Sequence, residues 1–129
     1  MANTPLLKCF VDGDFVDSST HFDNINPVNG SVISQLAEAD HSIIDQAVTA
    51  ARNSTWSKLT TNQRCELLHR VADRMAEREQ EFIDAEMADT GKSLFQVKTI
   101  DIPRGTLNFR TFADMVKFHT GFKFFIVQT

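Results

Sequence analysis

Ala88-Asp89-Thr90-Gly91-Lys92-Ser93 is the stretch on which the fold turns. Upstream of it, Leu68, Val71, Ala72, Met75, Phe82, Ile83 and Met87 recur at helical spacing, while Arg70, Arg74, Glu77, Arg78, Glu79 and Glu81 fill the other face. Apolar side chains three and four residues apart line one side of a helix, so Glu66–Asp89 reads as one long amphipathic helix. Gly91 then stands where a helix ends on a left-handed residue, a conformation that costs glycine little. Ser93-Leu94-Phe95-Gln96 has capping-box spacing and opens the next helix. Gly91-Lys92-Ser93 also looks like the end of a phosphate-binding loop, and fails as one. That loop needs a glycine five residues before Gly91, where Glu86 stands, and a preceding strand in place of a helix. A carboxylate there repels phosphate.

Working outward, Leu107, Phe112, Met115, Val116 and Phe118 continue an apolar stripe beyond Pro103. Proline lacks the N–H and its ring clashes with the preceding turn, so a kink or restart is expected near Asp101, with Asp101 capping the restarted helix. Towards the N-terminus, Thr60 with Gln63 forms a second capping box. Asp40 caps a helix whose face carries Ile43, Ile44, Ala47, Val48 and Ala51, and Asn53-Ser54-Thr55 ends it. Trp56 and Leu59, in the linker, are expected to plug a crevice between helices. Lys8–Val16 reads as a β-hairpin with Asp12-Gly13 at its turn. Asn26-Pro27-Val28-Asn29-Gly30 reads as a further turn, and Val32–Leu36 as a short strand. The expectation is a mainly α-helical chain with a small N-terminal hairpin or meander.

Composition narrows the functional classes. A 129-residue chain with 42% apolar residues has room for one packed domain. Net charge is −4 without a Lys/Arg stripe, which disfavours nucleic acid. Phe122–Val127 is too short to span a bilayer. Met1–Leu7 lacks the basic and apolar regions of a secretory signal, and Cys9 and Cys65 lie far apart, so a reduced cytoplasmic setting is expected. His21, His41, His69 and His119 are scattered and disfavour a zinc site. Gly13, Gly30, Gly91, Gly105 and Gly121 never approach the dinucleotide fingerprint spacing. Cys65 and Cys9 have no activating partner in sequence and read as structural thiols.

The order and spacing of Asp12-Gly13-Asp14-Phe15-Val16, Phe22-Asp23-Asn24-Ile25-Asn26-Pro27-Val28-Asn29-Gly30, Ala88–Ser93 and Ile100-Asp101-Ile102-Pro103-Arg104-Gly105 resemble the beginning of an NAD(P)-dependent aldehyde dehydrogenase. With Asn108-Phe109-Arg110 added, the likeness is to the 2-hydroxymuconic and 2-aminomuconic semialdehyde dehydrogenases. It covers residues 8–117 of a single unit spanning 1–129, with 118–129 as a divergent tail. The resemblance implies an α/β parent fold, NAD as the parent's cofactor, and oxidation of an aldehyde to an acid. It also implies that the nucleophilic Cys, the general-base Glu, the oxyanion-stabilising Asn and the dinucleotide core lie beyond Thr129. No catalytic or cofactor-binding residue is therefore expected within this stretch, which should be inactive by itself. Backbone carbonyls of Asn24 and Ile25 with the carboxylate of Asp101 are, by resemblance, candidates for a monovalent-cation site. The alternative expectation is a non-catalytic interaction protein that pairs with a full-length aldehyde dehydrogenase. Uncovered apolar stripes and the aromatic run Phe122–Val127 point to self-association.

Overall fold

The structure, a computed structural model, describes residues 4–118. The expectation placed on Phe122–Val127 lies outside those residues. Five short strands come first, β1 (Leu6–Leu7), β2 (Cys9–Val11), β3 (Asp14–Val16), β4 (His21–Ile25) and β5 (Val32–Ala37). Helices follow: α1 (His41–Asn53), a 3₁₀ turn (Thr55–Lys58), α2 (Thr61–Glu77), α3 (Glu79–Thr90), a short α4 (Leu94–Gln96), a π segment (Val97–Asp101) and α5 (Ile102–Phe118).

The hairpin forms as its turn residues dictate. β2 pairs antiparallel with β3, and Asp12 (φ 51°) and Gly13 (φ 93°) both take positive φ, as a primed two-residue turn requires. The other strands depart from a meander. β5 is the middle of a three-stranded sheet, antiparallel to β4 on one side and parallel to β1 on the other. β4 carries Asp23 and Asn24, poor strand formers, so periodicity does not reveal it; pairing with β5 makes it a strand.

α1 and α2 begin where their caps predict. The Asp40 carboxylate accepts from Ile43 N–H at 2.9 Å, and Thr60 and Gln63 satisfy each other's backbone reciprocally. On α1 the buried face is centred on Ile43, with Ala47 and Ala50 half-buried, while Ile44, Val48 and Ala51 are exposed. Trp56 is 42% exposed and plugs no crevice.

The long helix expected through Asp89 is two helices. The chain turns at Arg78 (φ −109°, ψ 23°), whose guanidinium Nε and Nη2 donate to the two oxygens of the Glu81 carboxylate at 3.0 and 2.6 Å. Glu77–Glu81 holds five polar residues in a row, so no apolar contact keeps the two axes collinear across that point.

Pro103 has no N–H to offer the Thr99 carbonyl. The ladder widens across Val97–Asp101, where Ile102 N–H reaches back to the Val97 carbonyl. The expected break is thus an uninterrupted helical run with a π segment inside it. Asp101 lies within that run and caps nothing.

The core lies between the helices. α2 and α5 run antiparallel, as the order of Cys65 with Ala113, then Asp73 with Arg110 shows. Cys65, Ala72 and Ala113 are buried, and such small side chains let the two backbones approach closely. Ile83 on α3 and Val97 on the π segment are fully enclosed. A hydrogen bond between His69 and Asp114 (2.9 Å) and an ion pair from Arg110 to Asp73 (2.6 Å) lie beside the contact.

Candidate functional site

The α3 terminus, the π segment and the β4–β5 face meet around Gly91 and Lys92. Gly91 ends α3 at φ 69°, and its N–H bonds the Met87 carbonyl at 3.0 Å. A Cβ there would stand 3.0 Å from both Pro27 Cγ and Val28 Cγ2. Glycine is needed twice over, for the left-handed backbone and for the turn resting against it. That turn closes through Gly30 N–H to the Asn26 carbonyl at 2.9 Å.

Lys92 Nζ donates to Glu86 Oε1 and to Asp101 Oδ2, each at 2.9 Å. The Asp101 bond first, then the Glu86 bond, raises the lysine's pKa above its ordinary value. Asp101 is only 11% exposed at its side chain, and its other oxygen faces Arg104 at 3.6 Å. The Glu86 that defeats a phosphate loop in sequence is therefore a direct partner of Lys92. Two carboxylates neutralise the ammonium, and the Gly91 Cβ position is filled by Pro27 and Val28, so this turn cannot cradle a pyrophosphate.

Asn24 and Ile25 sit at the end of β4, where a register shift interrupts pairing with β5. The Asn24 amide Nδ2 donates to Asp89 Oδ1 at 2.8 Å. Asn24 and Asp101 thus both engage the end of α3, one through Asp89 and the other through Lys92. No side-chain bond joins Asn24 to Asp101 among the described residues. Asp101, one of the three residues that resemblance offers to a monovalent cation, meets Lys92 and Arg104 here, so its charge is already compensated. No group of three His, Cys, Asp or Glu side chains among the described residues is placed to hold a metal ion.

Between the β4–β5 face and α3 lies a cleft of about 420 Å³. Asn24, Ser34, Glu86 and Asp89 are its polar lining, and Ile33, Phe82 and Ile102 belong to its apolar wall. Sequence reasoning missed Ser34 and Asp89. The signal was the cross-strand register, which is visible only once β4 is known to be a strand.

The remaining reactive side chains are engaged structurally. Cys65 Sγ donates to the Ala113 carbonyl at 3.1 Å, and Cys9 Sγ to the Ala37 carbonyl at 3.6 Å. Neither thiol has a basic partner that would activate it. His21 Nε2 donates to Asp17 Oδ1 at 2.8 Å, and this bond is the main cause holding the Asp17 carboxyl below the usual range. That pair and His69–Asp114 are bonds that sequence spacing did not reveal.

The architecture is that of a helix-and-strand scaffold whose Asn26–Gly30 turn packs against the end of α3. The model of the aldehyde dehydrogenase family matches residues 15–128, and the chain belongs to that family. It is 49% identical over 110 residues to a 2-aminomuconic 6-semialdehyde dehydrogenase of Pseudomonas sp., covering 83% of this chain and 22% of that enzyme. It is 45% identical over 116 residues to the 2-hydroxymuconic semialdehyde dehydrogenase of Pseudomonas sp. (strain CF600), covering 86% and 24%. The NAD+ complex of an aldehyde dehydrogenase from Bacillus cereus superposes with a TM-score of 0.79 at 32% identity, over 84% of this chain and 23% of that one. The chain spans less than a quarter of the length of these relatives. The described helices and strands are therefore part of an aldehyde dehydrogenase α/β fold. No helix among the described residues is long and apolar enough to cross a membrane.

Proposed function

We propose that this chain is the helix-and-strand scaffold of an NAD-dependent dehydrogenase that oxidises a muconic-type semialdehyde to the acid in the cytoplasm. The observation that carries this reading is the 49% and 45% identity to two muconic semialdehyde dehydrogenases. The Gly91–Lys92–Asp101 junction supports a structural role for the stretch, because it locks the end of α3 against both the Asn26–Gly30 turn and the π segment. NAD supplies the hydride acceptor in the whole enzyme. The residues described here contribute no step to hydride transfer: the thiols are spent on backbone carbonyls, and Lys92 is spent on carboxylates. The stretch alone is expected to be inactive. The test is NADH production from 2-hydroxymuconic semialdehyde, comparing the 129-residue chain with one extended to the relatives' length. Activity only in the longer chain is expected; turnover by the 129-residue chain that disappears in Cys65→Ser overturns the reading.

A second role, as a partner that pairs with a full-length aldehyde dehydrogenase or with itself, is favoured by one observation. α5 leaves Leu107, Phe112, Met115 and Val116 exposed along its length. Large apolar side chains left exposed on one helix favour a contact surface there. Size-exclusion chromatography with light scattering, on the chain alone and mixed with a full-length relative, tests it. A strict monomer that ignores the relative removes this role.

A further inference from the structure

The β4–β5 cleft carries chemistry that neither packing nor the dehydrogenase reading uses. Ser34 is only 3% exposed, yet its Oγ has no hydrogen-bond partner among the described residues. Buried hydroxyls are nearly always bonded, so this one is out of place unless something joins it. Ser34 is the direct cross-strand partner of Asn24, and opposed residues in an antiparallel pair project from the same face. Asn24 gives its Nδ2 to Asp89 at 2.8 Å. A carboxylate only accepts, which fixes the amide's orientation and leaves Asn24 Oδ1 as an acceptor. Asp89 and Glu86 are each engaged through one oxygen, by Asn24 and Lys92 respectively. The polar groups left over are thus two carboxylate oxygens, an amide oxygen and a hydroxyl. No cationic residue lines the cleft.

We infer that this cleft binds a protonated alkylamine, with the ammonium among Ser34, Asn24 and Asp89 and the alkyl body against Ile33, Phe82 and Ile102. An alkylammonium brings three donors and no acceptor, which matches a lining made of acceptors. Its charge meets Asp89, the carboxylate here that no lysine or arginine compensates, in bonds of the charge-assisted kind. The volume of about 420 Å³ lies in the range of small-ligand sites and exceeds what one ammonium needs, so the apolar wall takes the carbon chain. Two sources share this chemistry: a free alkylamine, or the lysine side chain of a protein segment.

Backbone amide shifts of the 129-residue chain, titrated with n-butylamine hydrochloride, n-butanol, sodium butyrate and a short lysine-containing peptide, test this. Saturable shifts at Asn24, Ser34 and Asp89 with butylamine, at an affinity about tenfold above that of butanol, are expected. Asp89→Asn keeps an acceptor for Asn24 and should lower butylamine affinity by about tenfold, and Ser34→Ala by several-fold. Saturation by the peptide but not by the free amine supports the site and assigns its source to protein. Equal responses to butylamine and butanol, no saturable response to any cation, or unchanged affinity in both variants overturns the proposal.

Discussion

The helical junction and the strand region of this chain are built on opposite terms. Where α2, α3, the π segment and α5 meet, the enclosed side chains are apolar: Cys65, Ala72, Ile83, Val97 and Ala113. In the strand region the one buried side chain is Ser34, a polar one without a partner, while Phe10 and Phe15 are 64% and 72% exposed. The helices therefore stabilise themselves by removing apolar surface from water. The sheet is held largely by backbone pairing and by two tethers to α3, namely Asn24 to Asp89 and the Pro27–Val28 turn on Gly91. Cooperative stability should reside in the helices, with the sheet following them.

Mutations sharpen this contrast in order of size. Ile83→Ala removes a fully enclosed side chain and should cost about 2–5 kcal/mol in urea unfolding. A loss under about 1 kcal/mol would show the junction to be no better packed than the sheet. Gly91→Ala is next. The left-handed backbone disfavours a Cβ by about 1–2 kcal/mol. The 3.0 Å contacts to Pro27 and Val28 should also push the turn away, read as amide shifts across Asn26–Gly30. Shifts confined to α3 would mean the turn does not depend on that contact. Thr60→Ala deletes one half of a capping box and should cost about 1 kcal/mol, with fraying at the start of α2 seen by hydrogen exchange.

On the sheet side the effects shrink. Phe10 and Phe15 meet edge-to-face with ring centroids 5.2 Å apart. Phe15→Ala should cost about 0.5–1 kcal/mol, and a loss as large as that of Ile83→Ala would abolish the proposed difference between the regions. The smallest effect is conditional on pH. The Lys92 pKa is raised in the folded state by Asp101 and Glu86, so its contribution is fully present below the unfolded value of about 10.4. It is lost as pH rises through the higher folded value. The difference in melting temperature between wild type and Lys92→Met should stay constant at neutral pH and shrink in strongly alkaline buffer. A difference that does not change with alkaline pH would mean the ion triad adds nothing.

Local signals were legible in proportion to how local their physics is. Asp40, Thr60, Ser93 and Gly91 were readable because caps act within four residues. The Asp12-Gly13 hairpin was readable for the same reason. The break at Arg78 was not, because Met75 and Phe82, seven residues apart, stay in helical phase on either side of the polar run Glu77–Glu81. Nor was β4, whose Asp23 and Asn24 argue against a strand until β5 supplies the partner. Within the candidate site, the roles of Asn24 and Asp101 were reached only through resemblance, and no site role was read for Ser34 or Asp89. Their meaning lies in a cross-strand register and in an α3 side chain 65 residues from Asn24.

The amino-acid sequence by itself determined the family, most of the helix starts and stops, the hairpin turn and the failure of Gly91-Lys92-Ser93 as a phosphate loop. Each of these depends on residue type at short spacing, where sterics and capping hydrogen bonds act. Only the tertiary structure decided that Lys92 spans Glu86 and Asp101, that Gly91 must be bare because Pro27 and Val28 rest on it, and that Ser34 is buried without a partner. Those facts depend on which distant segments are brought together, and burial and charge pairing become definite only when both partners are in place.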